Sequence, residues 1–499
     1  MAEPWWKTGV IYQIYPRSFC MGGTEDDRRR RFEAVGKKYP TGPLADSNGD
    51  GMGDLDGICS KLDYIAELGV DAIWLSPIFP SPQKDMGYDV ADYCDVDPLF
   101  GDLAAADALI AAAHGRGLRV LLDWVPNHTS DQHPWFVESR ASRDNPKADW
   151  YWWRDGDPST PPNNWEAAFV GGPAWTWVPE RQQWYLHNFL PEQPDLNWRN
   201  PEVRAAMYDT LRFWLDRGVD GFRIDVIHLL GKPENLPPKP DDVGAQLTTF
   251  FDFDDTHPIL HDIRALLDSY PGERMAVGEV FLLSTKLVAK YYGDNDELHL
   301  AFNFPPLFAR WDADAFRKRI DRVEEEITGT SWPTWVLSNH DNPRHRTRYG
   351  GSEGRARAAA VLLLTMRGTP FLYAGEELGL EDAVVEHEED PGGRDGCRAP
   401  IPWEVVAGNA MLPLYQSLLA ARRASPALHS GAFAWIDSAP GTLVYERTRG
   451  DDRRIVAINF TGETKPVLLP EGDWRVEVST AGDFGGQLAP DQAVVLRPA

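Results

Sequence analysis

Along most of the chain, short runs rich in β-branched residues alternate with longer stretches whose apolar positions recur every three or four residues. The short runs are Val10–Pro16, Asp71–Pro77, Arg119–Val125, Gly221–Val226, Met275–Val280, His299–Pro305, Thr334–His340 and Thr369–Gly375. Their length and composition predict strands. The clearest helix lies between Asn200 and Gly218, where Val203, Met207, Leu211 and Trp214 share one face. Asn200 suits the cap, Pro201 the first helical position and Gly218 the exit. Eight such strand-then-helix units predict an α/β fold, a (β/α)8 TIM barrel.

Loop lengths point the same way. Links from helix to strand are short, as at 69–70, 115–118, 218–220 and 367–368. Links leaving strand C-termini are long, at 17–54, 126–200, 229–257 and 376–410. Long loops are uncommon unless functional, and barrel enzymes build their sites on that rim. Residues 127–198 are long enough for an inserted subdomain after the third strand. Trp150, Trp152, Trp153, Trp165, Trp175, Trp177, Trp184 and Trp198 cluster there and read mainly as its core. Near residue 430 the pattern becomes Phe433–Asp437, Thr442–Thr448, Arg454–Phe460, Pro466–Pro470, Trp474–Thr480 and Ala493–Pro498, separated by Gly, Asp and Pro. That predicts a C-terminal antiparallel β-sandwich. The expected division is a catalytic barrel over 1–126 and 199–428, an inserted subdomain over 127–198 and a C-terminal β domain over 429–499.

Composition narrows the partners. The 499 residues carry a net charge of −26, which disfavours nucleic acids and anionic membranes and leaves a small neutral or cationic substrate. No apolar run approaches the roughly 18–20 residues of a membrane span, and MAEPWWKTGV lacks a secretory pattern. Cys20, Cys59, Cys94 and Cys397 are scattered without metal spacing. They read as thiols of a reducing compartment, so the expected location is the cytoplasm. The oligomeric state stays open.

Barrel strands are buried on both faces and should be almost wholly apolar. Several of these end in charge. In Gly221-Phe-Arg-Ile-Asp225-Val226 a period of two puts Arg223 and Asp225 on one face and the apolar residues on the other. The third strand runs through Asp123 to Asn127 and His128, the fifth ends at Glu279, and the seventh runs to His340 and Asp341. Four strand ends converging in this way predict an active site at the barrel mouth. Neither a Ser or Cys nucleophile motif nor a Walker, HExxH or dinucleotide motif accompanies them. Carboxylates on neighbouring strands suit glycoside hydrolysis, with one as nucleophile and one as acid.

The motifs Asp123-Trp-Val-Pro-Asn-His128, Gly221-Phe-Arg-Ile-Asp225, Gly278-Glu279-Val280 and Ser338-Asn-His-Asp341 resemble those of the α-amylase superfamily, glycoside hydrolase family 13. Gln193-Pro-Asp-Leu-Asn197 is similar to a signature of its α-glucosidase and oligo-1,6-glucosidase branch. The resemblance implies a retaining, exo-acting α-glucosidase acting on short α-glucosides, α-1,4 or α-1,6, through a covalent β-glucosyl intermediate. It implies Asp225 as nucleophile, Glu279 as acid and base, and Asp341 as the group that steadies the distorted sugar. Arg223 would hold Asp225 ionised. His128 and His340 would bind the sugar, Asp85 and Tyr88 would grip its non-reducing end, Arg398 would block extension and Phe169 would line the pocket. Val226 after the nucleophile is associated in that branch with α-1,6 preference. A transglucosylase or a sucrose- or maltose-converting isomerase would use the same intermediate. An inactive binding or transporter-accessory protein is a remote alternative.

Asp46-Ser-Asn48-Gly-Asp50-Gly51-Met52-Gly-Asp54 spaces oxygen ligands at alternate positions, as an EF-hand loop begins. Gly57 stands where an EF-hand needs Glu. In the resembling branch such a loop holds a structural Ca2+ or Mg2+ through Asp46, Asn48, Asp50, the Met52 carbonyl and Asp54. That ion is expected here, with no organic cofactor.

Overall fold

Every predicted barrel run forms a parallel strand, shorter than the run that predicts it. In the computed structural model, which describes residues 3–22, 52–240, 252–386 and 388–499 and a few positions between 26 and 33, the first three are β1 (Ile11–Ile14), β2 (Ala72–Leu75) and β3 (Arg119–Trp124). A three-stranded antiparallel sheet follows within the insertion: β4 (Trp153–Arg154), β5 (Trp175–Val178) and β6 (Gln183–Leu186). The barrel resumes with β7 (Gly221–Ile224), β8 (Met275–Gly278), β9 (Leu300–Ala301), β10 (Thr334–Val336) and β11 (Thr369–Tyr373). Seven seams are backbone ladders, in the order β10-β11-β1-β2-β3-β7-β8-β9. The eighth, between β9 and β10, is bridged by a side chain. The Thr334 hydroxyl donates to the Ala301 carbonyl (2.8 Å) and accepts from the Asn303 N–H (3.3 Å).

The helix over Pro201–Asp216 begins and ends as its sequence predicts. The Asn200 side chain accepts from the Glu202 N–H, and Gly218 adopts φ +100°. Val203, Met207, Leu211 and Trp214 are all buried against the outside of the barrel.

Strand periodicity divides two cores. Tyr12, Ile14, Ile73, Leu75, Val120, Leu122, Phe222 and Ile224 face the helices. Ile11, Ala72, Trp74, Leu121, Met275, Val277 and Phe371 fill the barrel axis. Seven of the eight tryptophans of the insertion are buried, as a subdomain core requires; Trp177 is partly exposed.

The C-terminal sheet takes the order β12 (Ala432–Ile436), β13 (Thr442–Arg449), β14 (Asp452–Asn459), β18 (Ala493–Pro498), β16 (Trp474–Ser479). A ribbon of β15 (Lys465–Pro466) and β17 (Gln487–Leu488) faces it. Val444, Ile455, Ala457, Val494 and Leu496 pack toward the ribbon, while Leu443, Tyr445, Val456, Ile458 and Val495 pack on the barrel helices. The central strands β14 and β18 are thus covered on both faces and carry the apolar runs Ile455–Ile458 and Ala493–Leu496, while the edge strands β12 and β16 stay partly exposed.

Thr334 is fully buried, so Thr334→Val leaves a carbonyl and an N–H at the seam without a partner. The expected cost is about 1–3 kcal/mol, read as a lower urea midpoint with an unchanged m-value.

Candidate active site

The side chains on the barrel axis change character along each strand. At the N-terminal end they are apolar; one pleat later they are Gln13, Asp123 and Arg223, and just beyond the strands come Asp225 and Glu279. Asp123 and Arg223 are register partners on β3 and β7. Arg223 Nη1 donates to Asp123 Oδ1 (2.9 Å) and Asp225 Oδ1 (2.7 Å), and Nη2 donates to Glu279 Oε2 (2.6 Å). One guanidinium therefore serves three carboxylates, and it brings Asp225 and Glu279 to its two terminal nitrogens. Val226, in the left-handed region at φ +32°, gives its N–H to Glu279 Oε2 (3.1 Å).

Burial pushes the Asp123 carboxyl up to about 7 against the pull of Arg223. Burial also raises Asp225 well above the usual range; Arg223 opposes this, while Glu279 and Asp123 add to it. Three carboxylates around one cation repel one another when all are ionised, so the trio holds a proton near neutrality.

A second polar layer orders the first. Tyr88 Oη (3.0 Å) and Trp74 Nε1 (3.2 Å) both donate to Asp123 Oδ2. The Gln13 amide faces His340 Nδ1 at 2.6 Å, which places the imidazole proton on Nε2, toward Tyr88 Oη and Asp341 Oδ2 (3.2 Å). Burial keeps His340 neutral. At Asp341 burial acts upward, but His340, Arg394, Arg398 and Arg223 outweigh it and hold the carboxyl well below its ordinary range.

These groups open onto a cavity of about 250 Å3 lined by Asp85, Tyr88, His128, Phe169, Asp225, Glu279 and Asp341. Arg223 and His340 stand directly behind the wall. Arg394 also lines the cavity, paired with Asp85 (2.7 Å) and Asp341 (2.9 Å). Arg398 stands behind Arg394 rather than on the cavity surface. Its Nε donates to the His340 carbonyl (2.7 Å) and its Nη2 to Asp341 (3.1 Å), so it buttresses the wall that Arg394 forms. Asp390 Oδ1 holds both arginines, at 2.7 Å from Arg394 and 3.1 Å from Arg398. The Phe169 ring lies against the Arg394 guanidinium at 4.7 Å, with its backbone at φ +67° before two glycines of positive φ.

Sequence reasoning passed over Phe189, Phe281 and Phe304, which line the apolar side. Phe281 carried a readable signal: it lies two residues after Glu279, the spacing that repeats a strand face. Asp46, Asn48 and Asp50 lie outside the described residues. Met52 and Asp54 are buried, and Asp54 Oδ1 caps the helix over Leu55–Ser60 by accepting from the Gly57 N–H (2.8 Å).

A TIM barrel with paired, buried carboxylates at its mouth has the arrangement of a glycoside hydrolase. Residues 13–421 match the family described as alpha amylase, catalytic domain, and the chain belongs to that family. It is 39% identical to a probable alpha-glucosidase of Rhizobium meliloti, over 93% of this chain and 91% of that protein. It is 34% identical to an oligo-1,6-glucosidase of Parageobacillus thermoglucosidasius, over 94% and 93%. Among solved structures it resembles an alpha-glucosyl transfer enzyme at 39% identity, covering all of both chains with a TM-score of 0.88. It also resembles a mutant of the protein MutB in complex with the substrate sucrose, at 31% identity, TM-score 0.86 and full coverage of both chains.

The raised Asp123 carboxyl has a consequence for stability. Between about pH 4, where the unfolded carboxyl ionises, and about pH 7, the folded protein keeps a proton that the unfolded chain has released. Stability therefore falls as pH rises through that window. Urea unfolding at about pH 5 and about pH 7.5 should show a smaller drop in Asp123→Asn than in the wild type.

Proposed function

We propose that this glycoside hydrolase is a retaining, exo-acting α-glucosidase that removes one glucosyl unit from the non-reducing end of short α-glucosides. The observation that carries the reading is the Arg223 fork, which binds Asp225 (2.7 Å) and Glu279 (2.6 Å) on neighbouring nitrogens and so holds the two carboxylates side by side. Carboxylates about 5–5.5 Å apart leave no place for an intervening water and favour a covalent intermediate. In this reading Asp225 attacks the anomeric carbon as the glycosidic bond breaks, and Glu279 gives its proton to the departing oxygen. Glu279 then takes a proton from water, which displaces the sugar from Asp225. Asp341, held ionised by its cations, accepts hydrogen bonds from sugar hydroxyls. The ion pairs of Arg394 with Asp85 and Asp341, set across the cavity lining where a further sugar would extend, support single-unit removal, and the names of the α-glucosidase and oligo-1,6-glucosidase relatives agree.

A second outcome of the same intermediate, transfer to an acceptor other than water, has its own support. Phe281 packs on Phe304 (5.0 Å) and on the half-exposed Phe308 (6.2 Å), an aromatic surface near the reacting groups where an acceptor could displace water. Product analysis at high substrate concentration separates the two outcomes.

We also propose a structural Ca2+ or Mg2+ at residues 46–54. The donors Asp46, Asn48, Asp50, the Met52 carbonyl and Asp54 are hard oxygens suited to either ion. A cytoplasmic location is proposed on the four cysteines, all of them thiols. No helix among the described residues is long and apolar enough to cross a membrane.

Asp225→Asn should lower kcat on p-nitrophenyl α-glucoside by on the order of 10^4-fold or more. NMR of the first-formed glucose should show the α-anomer; initial β-glucose would overturn the mechanism. If the loop holds its ion, EDTA lowers the thermal midpoint and added Ca2+ or Mg2+ restores it; an unchanged midpoint rejects the metal site.

A further inference from the structure

After β2 the chain makes a tight turn that brings two side chains to the cavity. The Tyr88 N–H donates to the Asp85 carbonyl (3.0 Å), with Met86 at φ +50° and Gly87 at φ +111° between them. A positive φ is costly for methionine, so the turn needs a restraint from outside it. From this turn the Asp85 carboxylate reaches Arg394 (2.7 Å) and Gln193 (3.0 Å), and the Tyr88 hydroxyl reaches Asp123 (3.0 Å).

The restraint is Asp89, which is fully buried and which none of the roles above uses. Its Oδ1 accepts from the Asp85 N–H (3.0 Å) and the Ser81 hydroxyl (2.8 Å), and its Oδ2 accepts from the Lys84 N–H (2.9 Å). The Ser81 oxygen in turn accepts from the N–H of Gln83 (2.9 Å), itself at φ +64°. Three donors therefore converge on two oxygens. An amide has one oxygen and one NH2, so in either orientation it sets a donor against the N–H of Lys84 or of Asp85. Only an ionised carboxylate accepts at every contact. The charged groups beside it are Asp85, which Arg394 compensates, and Asp97, which accepts from the Ser81 N–H (2.9 Å). Burial raises the Asp89 carboxyl to about 6 against the pull of its hydrogen bonds, and the Asp85 charge adds to the rise.

We propose that Asp89 is a positioning residue: its carboxylate ties down the turn over 81–88 and so presents Asp85 and Tyr88 together to the cavity. The effect on turnover rests on the α-glucosidase reading, in which those two side chains grip the sugar; the anchoring itself does not.

The test uses the full-length enzyme. At about pH 7, Asp89→Asn should speed deuterium uptake over 81–90 about tenfold, the loss of roughly one hydrogen bond, and leave the barrel helices unchanged. It should raise KM for p-nitrophenyl α-glucoside by a similar factor, with a smaller change in kcat. The wild-type KM should rise as pH falls through about 6 and Asp89 takes a proton, whereas the variant's KM stays high and flat there. Ser81→Ala removes one donor and leaves the carboxylate in place, so it guards against an Asp89 variant that fails to fold. It should also speed uptake over 81–90, and it should move the acid rise in KM to higher pH, because a donor favours the ionised carboxyl. Uptake over 81–90 that is unchanged in both variants, or that rises alike across the barrel, overturns the proposal. Faster uptake confined to 81–90 with KM unchanged at every pH upholds the anchoring and instead rejects Asp85 and Tyr88 as sugar ligands. If the wild type leaves the glucoside uncleaved, the α-glucosidase reading fails, and the uptake comparison still decides the anchoring.

Discussion

The arrangement at the barrel mouth depends on one guanidinium among three carboxylates. Arg223 is planar and forked, so its two terminal nitrogens dictate where Asp225 and Glu279 stand relative to each other. A lysine would supply the charge without the geometry. The cation also lets the barrel bury these groups at all: a lone carboxylate on the axis, with Leu121 and Val277 beneath it, would lose too much hydration to remain charged. With one positive charge for three negative ones the cluster is left short of compensation. That deficit raises the Asp123 and Asp225 carboxyls, as burial does.

Around this centre the backbone accepts conformations that side chains normally avoid. Val226 is β-branched yet left-handed, and Phe169 is left-handed on the rim. Such residues cost on the order of 1–3 kcal/mol each and persist where surrounding contacts over-determine them. At Val226 the contacts are the N–H bond to Glu279 and the Leu229 N–H bond to its carbonyl (2.8 Å). At Phe169 they are the Arg394 guanidinium and the Phe189 ring at 5.7 Å. Both strained residues line the pocket, so the local cost falls where shape matters.

Much of this was legible in the sequence because periodicity is a physical constraint. A strand buried on both faces has no reason to carry Asp123, Arg223 or Glu279 unless those side chains share a cavity, and the two-residue repeat says which face they take. The helix after Asn200 was legible through its cap and exit glycine. Other features were not. Arg394 and Arg398 lie in one short motif, and only their partners in distant segments, Asp85 for the first and the His340 carbonyl for the second, distinguish them. The ribbon strand Gln487–Leu488 is too short for a period, and it pairs because Leu488 covers the sheet. The bridging of the last barrel seam by Thr334 leaves no mark in the pattern, since a threonine in a strand is ordinary.

Arg394 spans Asp85, Asp341 and Asp390, and so ties the segment after β2, the segment after β10 and the segment after β11 into one wall of the cavity. The same guanidinium is one of the charges that keep the Asp341 carboxyl low. Neutralising that one side chain would therefore loosen three stretches of chain at once and change the charge of the pocket together with its shape.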